Sequence, residues 1–122
     1  MESLDKELMR CERWIKAALD YSGGTHTYGD VVESIKSGYI QFWPAQNGCA
    51  VTEIISFPRK KVLHIFLAGG EKNQIVDMDE SAVEFAKQQG CTGMTSAGRR
   101  GWARVLLNKG WTEAFTTLSK DI

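Results

Sequence analysis

The sequence predicts a single α+β domain with two helices before a central sheet. Three features indicate this class: amphipathic patterns open the chain, a run dense in β-branched and aromatic residues follows, and helical and strand-like patterns then alternate. A chain of 122 residues can bury one core of ordinary size, so we treat 1–122 as one domain. The expected order is two N-terminal helices and a three-stranded antiparallel meander that continues into a β-α-β-α-β half.

The N-terminal part predicts two helices. Apolar residues recur at helical spacing on one stripe: Leu4, Leu8, Cys11, Ile15 and Ala18. This pattern predicts a helix over residues 3–21, which the glycine pair in Ser22–Gly24 ends. Thr27 and Asp30 then resemble a capping box, in which each side chain accepts a hydrogen bond from the backbone N–H of the other residue. A short second helix is expected to follow and to end at Gly38.

The meander is predicted from Tyr39 onwards. Tyr39–Trp43 alternates between two faces, and the Asn47–Gly48 pair is typical of a hairpin turn. The runs Ala50–Phe57 and Val62–Leu67 flank an exposed Pro58–Lys61 turn and predict a second hairpin.

The C-terminal half predicts the rest of the sheet. A helical face runs from Lys72 to Gln89, and Cys91–Thr95 predicts a short strand. Because a helix connects it to Val62–Leu67, we expect these two strands to be parallel. A helix is expected from Gly98 to Lys109, and the alternation in Trp111–Leu118 predicts a final strand.

Charge and composition exclude several classes of partner. Fifteen basic and fifteen acidic side chains cancel, so no overall field attracts nucleic acid or an anionic membrane. The charged N-terminus is unlike a secretory signal, and no apolar run is long enough for a membrane span. Cys11, Cys49 and Cys91 are odd in number and show no metal-ligand spacing, so we expect reduced thiols, no metal site and a cytoplasmic protein.

Two polar residues in the middle of predicted strands are candidates for chemistry. Glu53 and His64 each interrupt an apolar strand, and a strand interior tolerates such groups only on a wet face or beside a partner. They form either a solvated or cross-strand polar pair, or a site in which one is the general base for a bound amine. His26, between two threonines in the first interhelical loop, is a further candidate.

The glycine turn after the third strand is also open to two interpretations. Gly69 and Gly70 lead from the strand into a helix, and such a turn can present backbone N–H groups to an anion. Alternatively, the glycines only end the strand and permit close helix packing.

The order of elements resembles the GNAT acetyltransferase fold, most clearly in RRGWARVLLNKGWTEAFTTLSKDI, residues 99–122. There Gly110–Trp111 stands where that family usually has Gly-Phe. The resemblance implies acetyl-CoA bound where the fourth strand splays from the fifth. It also implies a pyrophosphate on the backbone amides of a Q/R-x-x-G-x-G/A loop, and an amine that attacks the thioester directly. The phosphate-binding candidates are then Gly69, Gly70, Lys72, Arg99 and Arg100.

The sequence departs from that family in two places. Residues 67–74 lack the phosphate-loop motif, and Glu71 puts a carboxylate at the start of the helix, where a phosphate would need positive potential. Leu106 and Leu107 stand where many members have a tyrosine that acts as general acid. These departures favour a GNAT-fold protein that is not catalytic and binds neither acetyl-CoA nor another cofactor.

The segments GTHT, QFW, VTEI, PRK and LAGG also resemble small GNAT-like proteins of tailed bacteriophages and prophages. This resemblance implies a binding or structural protein of the virion or its assembly, located in the virion or the host cytoplasm. Its partners would be phage structural proteins, with Tyr39, Trp43 and Trp111 as contact points. The alternative is an N-acetyltransferase with an atypical phosphate loop and Glu53 or His64 as base.

A nucleic-acid-binding module is a third hypothesis. It would use the basic clusters Arg59–Lys61 and Arg99, Arg100 and Arg104. We do not expect it, because the net charge is zero and no binding motif is present.

Overall fold

A computed structural model of the chain is an α+β domain built on a four-stranded mixed sheet. The structure describes residues 2–97 and 100–122, with only the backbone at residues 2 and 100–103. In chain order, its elements are α1 (Glu2–Leu19), α2 (Tyr28–Lys36), β1 (Ile40–Ala45), β2 (Gly48–Ser56), β3 (Lys61–Gly70), α3 (Lys72–Val76), α4 (Asp79–Gln88), β4 (Gly93–Ser96) and α5 (Arg100–Leu107).

The predicted meander and the parallel crossover are both confirmed. The strand order is β1-β2-β3-β4, and the first two pairings are antiparallel. β3 and β4 pair in parallel, with Val62 opposite Gly93 and Ile65 opposite Ser96. The helical connection between them explains this direction, because parallel neighbours need a long crossover.

The sheet separates two groups of helices. On one side, the α1 face, Cys49, Val51 and Leu67 pack with buried residues of α1 and α2. On the other side, the α4 face, Leu63 packs with Ala82 and Ala86 of α4. Since neighbouring residues of a strand point to opposite faces, this pattern assigns each side chain of the sheet to a face.

Two local predictions in the N-terminal part are confirmed. Thr27 Oγ1 accepts a hydrogen bond from the Asp30 N–H at 3.1 Å, and Asp30 Oδ2 accepts one from the Thr27 N–H at 2.9 Å, which completes the capping box. The preceding turn contains Gly23 and Gly24 at positive φ, the conformation that glycine adopts at little cost.

The predicted helix Lys72–Gln89 is wrong as a single element. It is divided into α3 and α4, with Asp77 ending the first and Asp79 and Glu80 opening the second. Aspartate competes with the backbone for hydrogen bonds and so favours helix ends over interiors. The apolar periodicity continues across the break, which is why the sequence pattern does not show it.

The predicted final strand Trp111–Leu118 is also wrong, because residues 111–122 belong to no helix or strand. The chain order therefore ends β-α-α-β-α and not β-α-β-α-β. The Trp111 indole N–H donates to Asp79 Oδ1 at 3.1 Å, and this contact holds the segment beside α4. Alternation of apolar and polar residues indicates that successive side chains can point to opposite sides. It does not show that a neighbouring strand is present to form the hydrogen bonds of a sheet.

The cysteines are free thiols, as expected. Cys11 and Cys49 are buried in the core between α1 and the sheet, whereas Cys91 is half-buried. Burial raises the pKa of Cys11 and, more strongly, that of Cys49. Among the described helices, none has both the length and the apolar character needed to cross a bilayer.

Candidate functional site

The two parallel strands separate halfway along β3. The last residue of β3 that pairs with β4 is Ile65, opposite Ser96, while β3 continues to Gly70. At the same place β3 contains a bulge: Val51 faces Leu67 and Thr52 faces Ile65, so Phe66 has no partner on β2. A bulge bends its strand and increases the local twist, which turns the end of β3 away from β4.

A cavity of about 700 Å³ occupies this gap and reaches both faces of the sheet. On the α1 face it is lined by the loop between α1 and α2 and by His64, Phe66 and Leu67. On the α4 face it is lined by Ala50 and Ala68, by residues of α3 and α4, and by Leu106 of α5. A volume of this size is typical of small-molecule sites.

His64 occupies the α1 face of β3 between two polar neighbours. Its Nδ1 lies 2.8 Å from Thr95 Oγ1 on β4, and Glu53 of β2 is its cross-strand partner on the other side. Burial lowers the pKa of His64, and the negative charge of Glu53 partly opposes this shift. His64 is therefore held neutral at physiological pH, the form that can accept a proton.

His26 lines the same cavity from the loop between α1 and α2. Its Nδ1 lies 2.8 Å from Thr25 Oγ1, and its ring centroid lies 4.7 Å from that of Phe66. The chain has two histidines, and the fold brings both to one cavity. Glu53 does not line the cavity. It affects the site only through its electrostatic effect on the pKa of His64.

The glycine turn is packed against neighbouring backbone. A Cβ at Gly69 would lie 2.8 Å from the Trp14 carbonyl oxygen, and one at Gly70, where φ is +102°, would overlap the Asn47 carbonyl. The Glu71 N–H donates to the Asn47 carbonyl at 2.8 Å. Close packing thus accounts for both glycines, and the Glu71 N–H points at a protein oxygen.

The basic candidates for phosphate binding are Lys72, Arg99 and Arg100. Lys72 is the first residue of α3 and is exposed. Arg99 and the side chain of Arg100 lie outside the described residues. Within residues 2–97 and 100–122, no three metal-binding side chains come together as a metal site requires.

Two of the three aromatic contact candidates are engaged within the fold. Trp43 donates from Nε1 to Thr52 Oγ1 at 2.9 Å and lines the cavity, and Trp111 donates to Asp79. Tyr39 is 82% exposed. Trp43 and Trp111 are half-buried, so Tyr39 is the most exposed of the three.

Sequence reasoning missed Thr95, Thr52 and Phe66 as parts of the site. Thr52 is 2% exposed and also donates to Gln41 Oε1 at 2.9 Å, so a polar group on an apolar strand was the available signal. Thr95 and Phe66 carried no such signal, because their positions depend on strand register and on the bulge.

Comparisons with solved structures show which fold the chain shares. A mutant of TTHA1254 from Thermus thermophilus matches with a TM-score of 0.67 at 13% identity, covering 96% of this chain and 91% of that one. The wild-type form matches with a TM-score of 0.65 at 13% identity, with the same coverage. An acetyltransferase from Trypanosoma brucei matches with a TM-score of 0.56 at 13% identity, covering 91% of this chain and 94% of that one.

No family model matches the sequence, and no curated protein is similar enough to count as a match. At these identities the likeness shows the fold alone. None of these three structures comes from a bacteriophage, so the phage resemblance stays a prediction. The chain shares an α+β fold with an acetyltransferase, which supports the GNAT-like architecture that its order of elements predicts.

Proposed function

We propose that this protein is an N-acyltransferase that takes an acyl thioester of the coenzyme A type into the cavity between β3 and β4. The single observation that carries the proposal is the cavity itself, which opens where two parallel strands diverge and is lined by a neutral histidine. The fold shared with an acetyltransferase supports the same reaction class.

The proposed chemistry begins with His64 as general base. In the tautomer that can act as a base, Nδ1–H donates a hydrogen bond to Thr95 Oγ1, and the lone pair of Nε2 is free. Nε2 then accepts a proton from the ammonium group of the acceptor substrate. The amine nitrogen then forms a bond to the thioester carbonyl carbon, the carbon–sulfur bond breaks, and the nitrogen loses its second proton to water, which leaves a neutral amide. The imidazolium returns its proton to the leaving thiolate, so His64 ends the cycle neutral.

Glu53 has a supporting role in this scheme. Its carboxylate stabilises the imidazolium that forms transiently, because opposite charges on neighbouring strands attract. The adjacent Thr95 hydroxyl holds the ring. His64 is thus the one residue of the row Glu53–His64–Thr95 that lines the cavity.

The residues present fit the two ends of such a thioester differently. The cavity offers the thiol arm a mainly apolar wall, against which the methyl and methylene groups of a pantetheine chain can pack. At the glycine turn, the Glu71 N–H is bonded to Asn47. A diphosphate would therefore depend on cationic side chains. The candidates are the exposed Lys72 and, from the sequence, Arg99 and Arg100. Most of the affinity would come from the pantetheine arm.

The second candidate is a binding protein that performs no transfer, with a phage structural protein as its partner and the virion or host cytoplasm as its location. The bonded amide and the carboxylate at Glu71 favour it, because both occupy the place of the usual phosphate contacts. The exposed ring of Tyr39 would be part of its contact surface.

One experiment separates the two candidates. The full chain is incubated with acetyl-CoA or acetyl-pantetheine and a panel of primary amines, and mass spectrometry detects acylated amine and released thiol. We expect transfer by the wild type, a loss of about 10²–10⁴-fold in kcat for His64→Gln, and a much smaller loss for His26→Gln.

Binding is measured in parallel by calorimetry. Thioester binding would contradict the second candidate, and binding without transfer at high protein concentration would contradict the proposed transfer step. Absence of both binding and transfer would overturn the proposal and favour the second candidate, because a ligand that occupies the cavity must bind the native state.

A further inference from the structure

The two ends of the cavity differ in polarity. On the α1 face its polar residues, His26, His64, Ser22 and Thr25, lie beside Phe66 and Leu67. On the α4 face it is lined by apolar side chains: Ala50, Ala68, Ile75, Met78, Ala82 and Met94. Such a division fits an amphiphilic ligand, with its reactive polar group at the histidines and its apolar part beneath α3 and α4.

Two polar groups on the α4 face already have protein partners. Thr52 Oγ1 accepts a hydrogen bond from the Trp43 indole at 2.9 Å and donates to Gln41 Oε1 at 2.9 Å. Asp79 accepts from the indole of Trp111 at 3.1 Å. The hydroxyl proton of Thr52 is therefore donated within the protein and is not available to a ligand. The part of the wall formed by Thr52 and Trp43 offers a ligand mainly apolar contacts.

Other hydroxyls also line the cavity. They belong to Ser96, two residues after Met94 on β4, and to Thr117 and Ser119 of the C-terminal segment. Apolar side chains nevertheless predominate in the wall that β2, β3, α3 and α4 form on the α4 face, where Thr52 and Asp79 are the polar members.

Small side chains create the space under α3 and α4. Ala50 and Ala68 are directly opposite each other on β2 and β3, on the α4 face, and Ala82 of α4 lines the same region. Larger side chains at these positions would fill part of the cavity. An empty apolar region loses dispersion contacts, which an apolar ligand would restore.

We propose that the acyl group carried by this site is longer than acetyl, a medium-chain acyl group of roughly six to ten carbons that lies along the apolar α4 face. The inference rests on the proposed thioester function and specifies its substrate class. An acetyl group ends two carbons from the sulfur. A longer chain extends from the carbonyl beside His64 towards Ala68 and Ala50 and buries its methylenes there.

The test is a chain-length series of acyl-coenzyme A thioesters with two, four, six, eight and ten carbons, each below its micelle concentration. Calorimetry measures the Kd of the full wild-type chain for each thioester. We expect the Kd to fall about fourfold for each added methylene, and about sixteenfold from acetyl to butyryl, until the chain fills the cavity. A Kd that stays constant or rises with chain length would overturn the inference.

A matched pair of variants locates the chain in the cavity. Ala68→Leu extends a side chain into the apolar end, whereas Ala17→Leu makes the same change on the exposed side of α1. We expect Ala68→Leu to bring the Kd for octanoyl-CoA close to that for acetyl-CoA, so that the gain from the longer chain is lost. Ala17→Leu should behave as the wild type, and circular dichroism checks that both variants fold.

The outcomes distinguish this inference from the proposed function. If no thioester of any length binds, the thioester function itself fails. If acetyl-CoA binds and reacts but longer chains bind no better, only the acyl-length inference fails. If Ala68→Leu binds octanoyl-CoA as tightly as the wild type, the chain does not lie on the α4 face and the inference is overturned.

Discussion

His64 and Thr95 join the two diverging strands through a contact of 2.8 Å between Nδ1 and Oγ1, close to the last paired residues of β3 and β4. The contact fixes the orientation of the imidazole ring that faces the cavity. Because Nδ1 is engaged, Nε2 is the nitrogen available to a substrate.

Replacing the Thr95 hydroxyl should release the imidazole. Thr95→Val leaves Nδ1 without its partner in a half-buried site, so we expect a mixed tautomer population and a loss of about 1–2 kcal/mol in the free energy of unfolding. Thr95→Ser keeps the hydroxyl and should preserve a single tautomer. Nitrogen-15 NMR of the imidazole and urea unfolding measure the two effects, and equal spectra for both variants would show that the hydroxyl does not position the ring.

The stability of the protein should depend on the protonation of His64. Burial lowers the pKa of this group in the folded state relative to its unfolded value near 6.5. The folded state therefore binds the proton less readily, and the stabilisation present above pH 6.5 is lost as the pH falls through the folded pKa. When the pH is lowered from 7.5 to 5, the melting temperature of the wild type should fall further than that of His64→Gln. Equal decreases in the two proteins would contradict a lowered pKa of His64 in the folded state.

Gly70 should tolerate no side chain. Its φ of +102° is unfavourable for any other residue, and a Cβ would overlap the Asn47 carbonyl and the Gly48 Cα. We expect Gly70→Ala to cost about 3 kcal/mol of unfolding free energy. Gly24→Ala is the control, because Gly24 also has a positive φ but its Cβ would meet no atom within 4 Å. It should cost about 1 kcal/mol, so chemical unfolding that gives equal losses would contradict the role of close packing.

The cysteines should differ in reactivity. Cys11 and Cys49 are 0% and 2% exposed, and burial raises the pKa of both thiols, so the thiolate needed for reaction is scarce. Cys91 is half-buried. Under native conditions at pH 7.5, iodoacetamide should label Cys91 first, and the other two only after denaturation. Peptide mass spectrometry assigns the labels, and early modification of Cys49 would contradict its burial.

Local pattern was sufficient for the elements whose cause lies within a few residues. The stripe of α1, the capping box of Thr27 and Asp30 and the two hairpins follow from periodicity and turn chemistry in short windows. The break at Asp77 within one apolar periodicity, and the unpaired segment 111–122, do not follow from such windows.

The site could be predicted only in part. Glu53 and His64 were identifiable because each is a polar residue inside an apolar strand, and their pairing follows from the hairpin register. The partnership of His64 with Thr95 depends on a strand that is 31 residues away in sequence. The cavity depends on the bulge at Phe66, which no pattern of apolar and polar residues indicates.

The sequence by itself determined the fold class, the order of the first elements, the parallel direction of β3 and β4 and the polar pair Glu53 and His64. Only the tertiary structure decided that β3 extends beyond the end of its pairing with β4 and that a cavity lies between the two strands. It also decided that Gly69 packs against Trp14 and Gly70 against Asn47. The physical reason is that periodicity, capping and turn chemistry act between near neighbours, whereas a cavity exists only where segments distant in sequence fail to fill the same space.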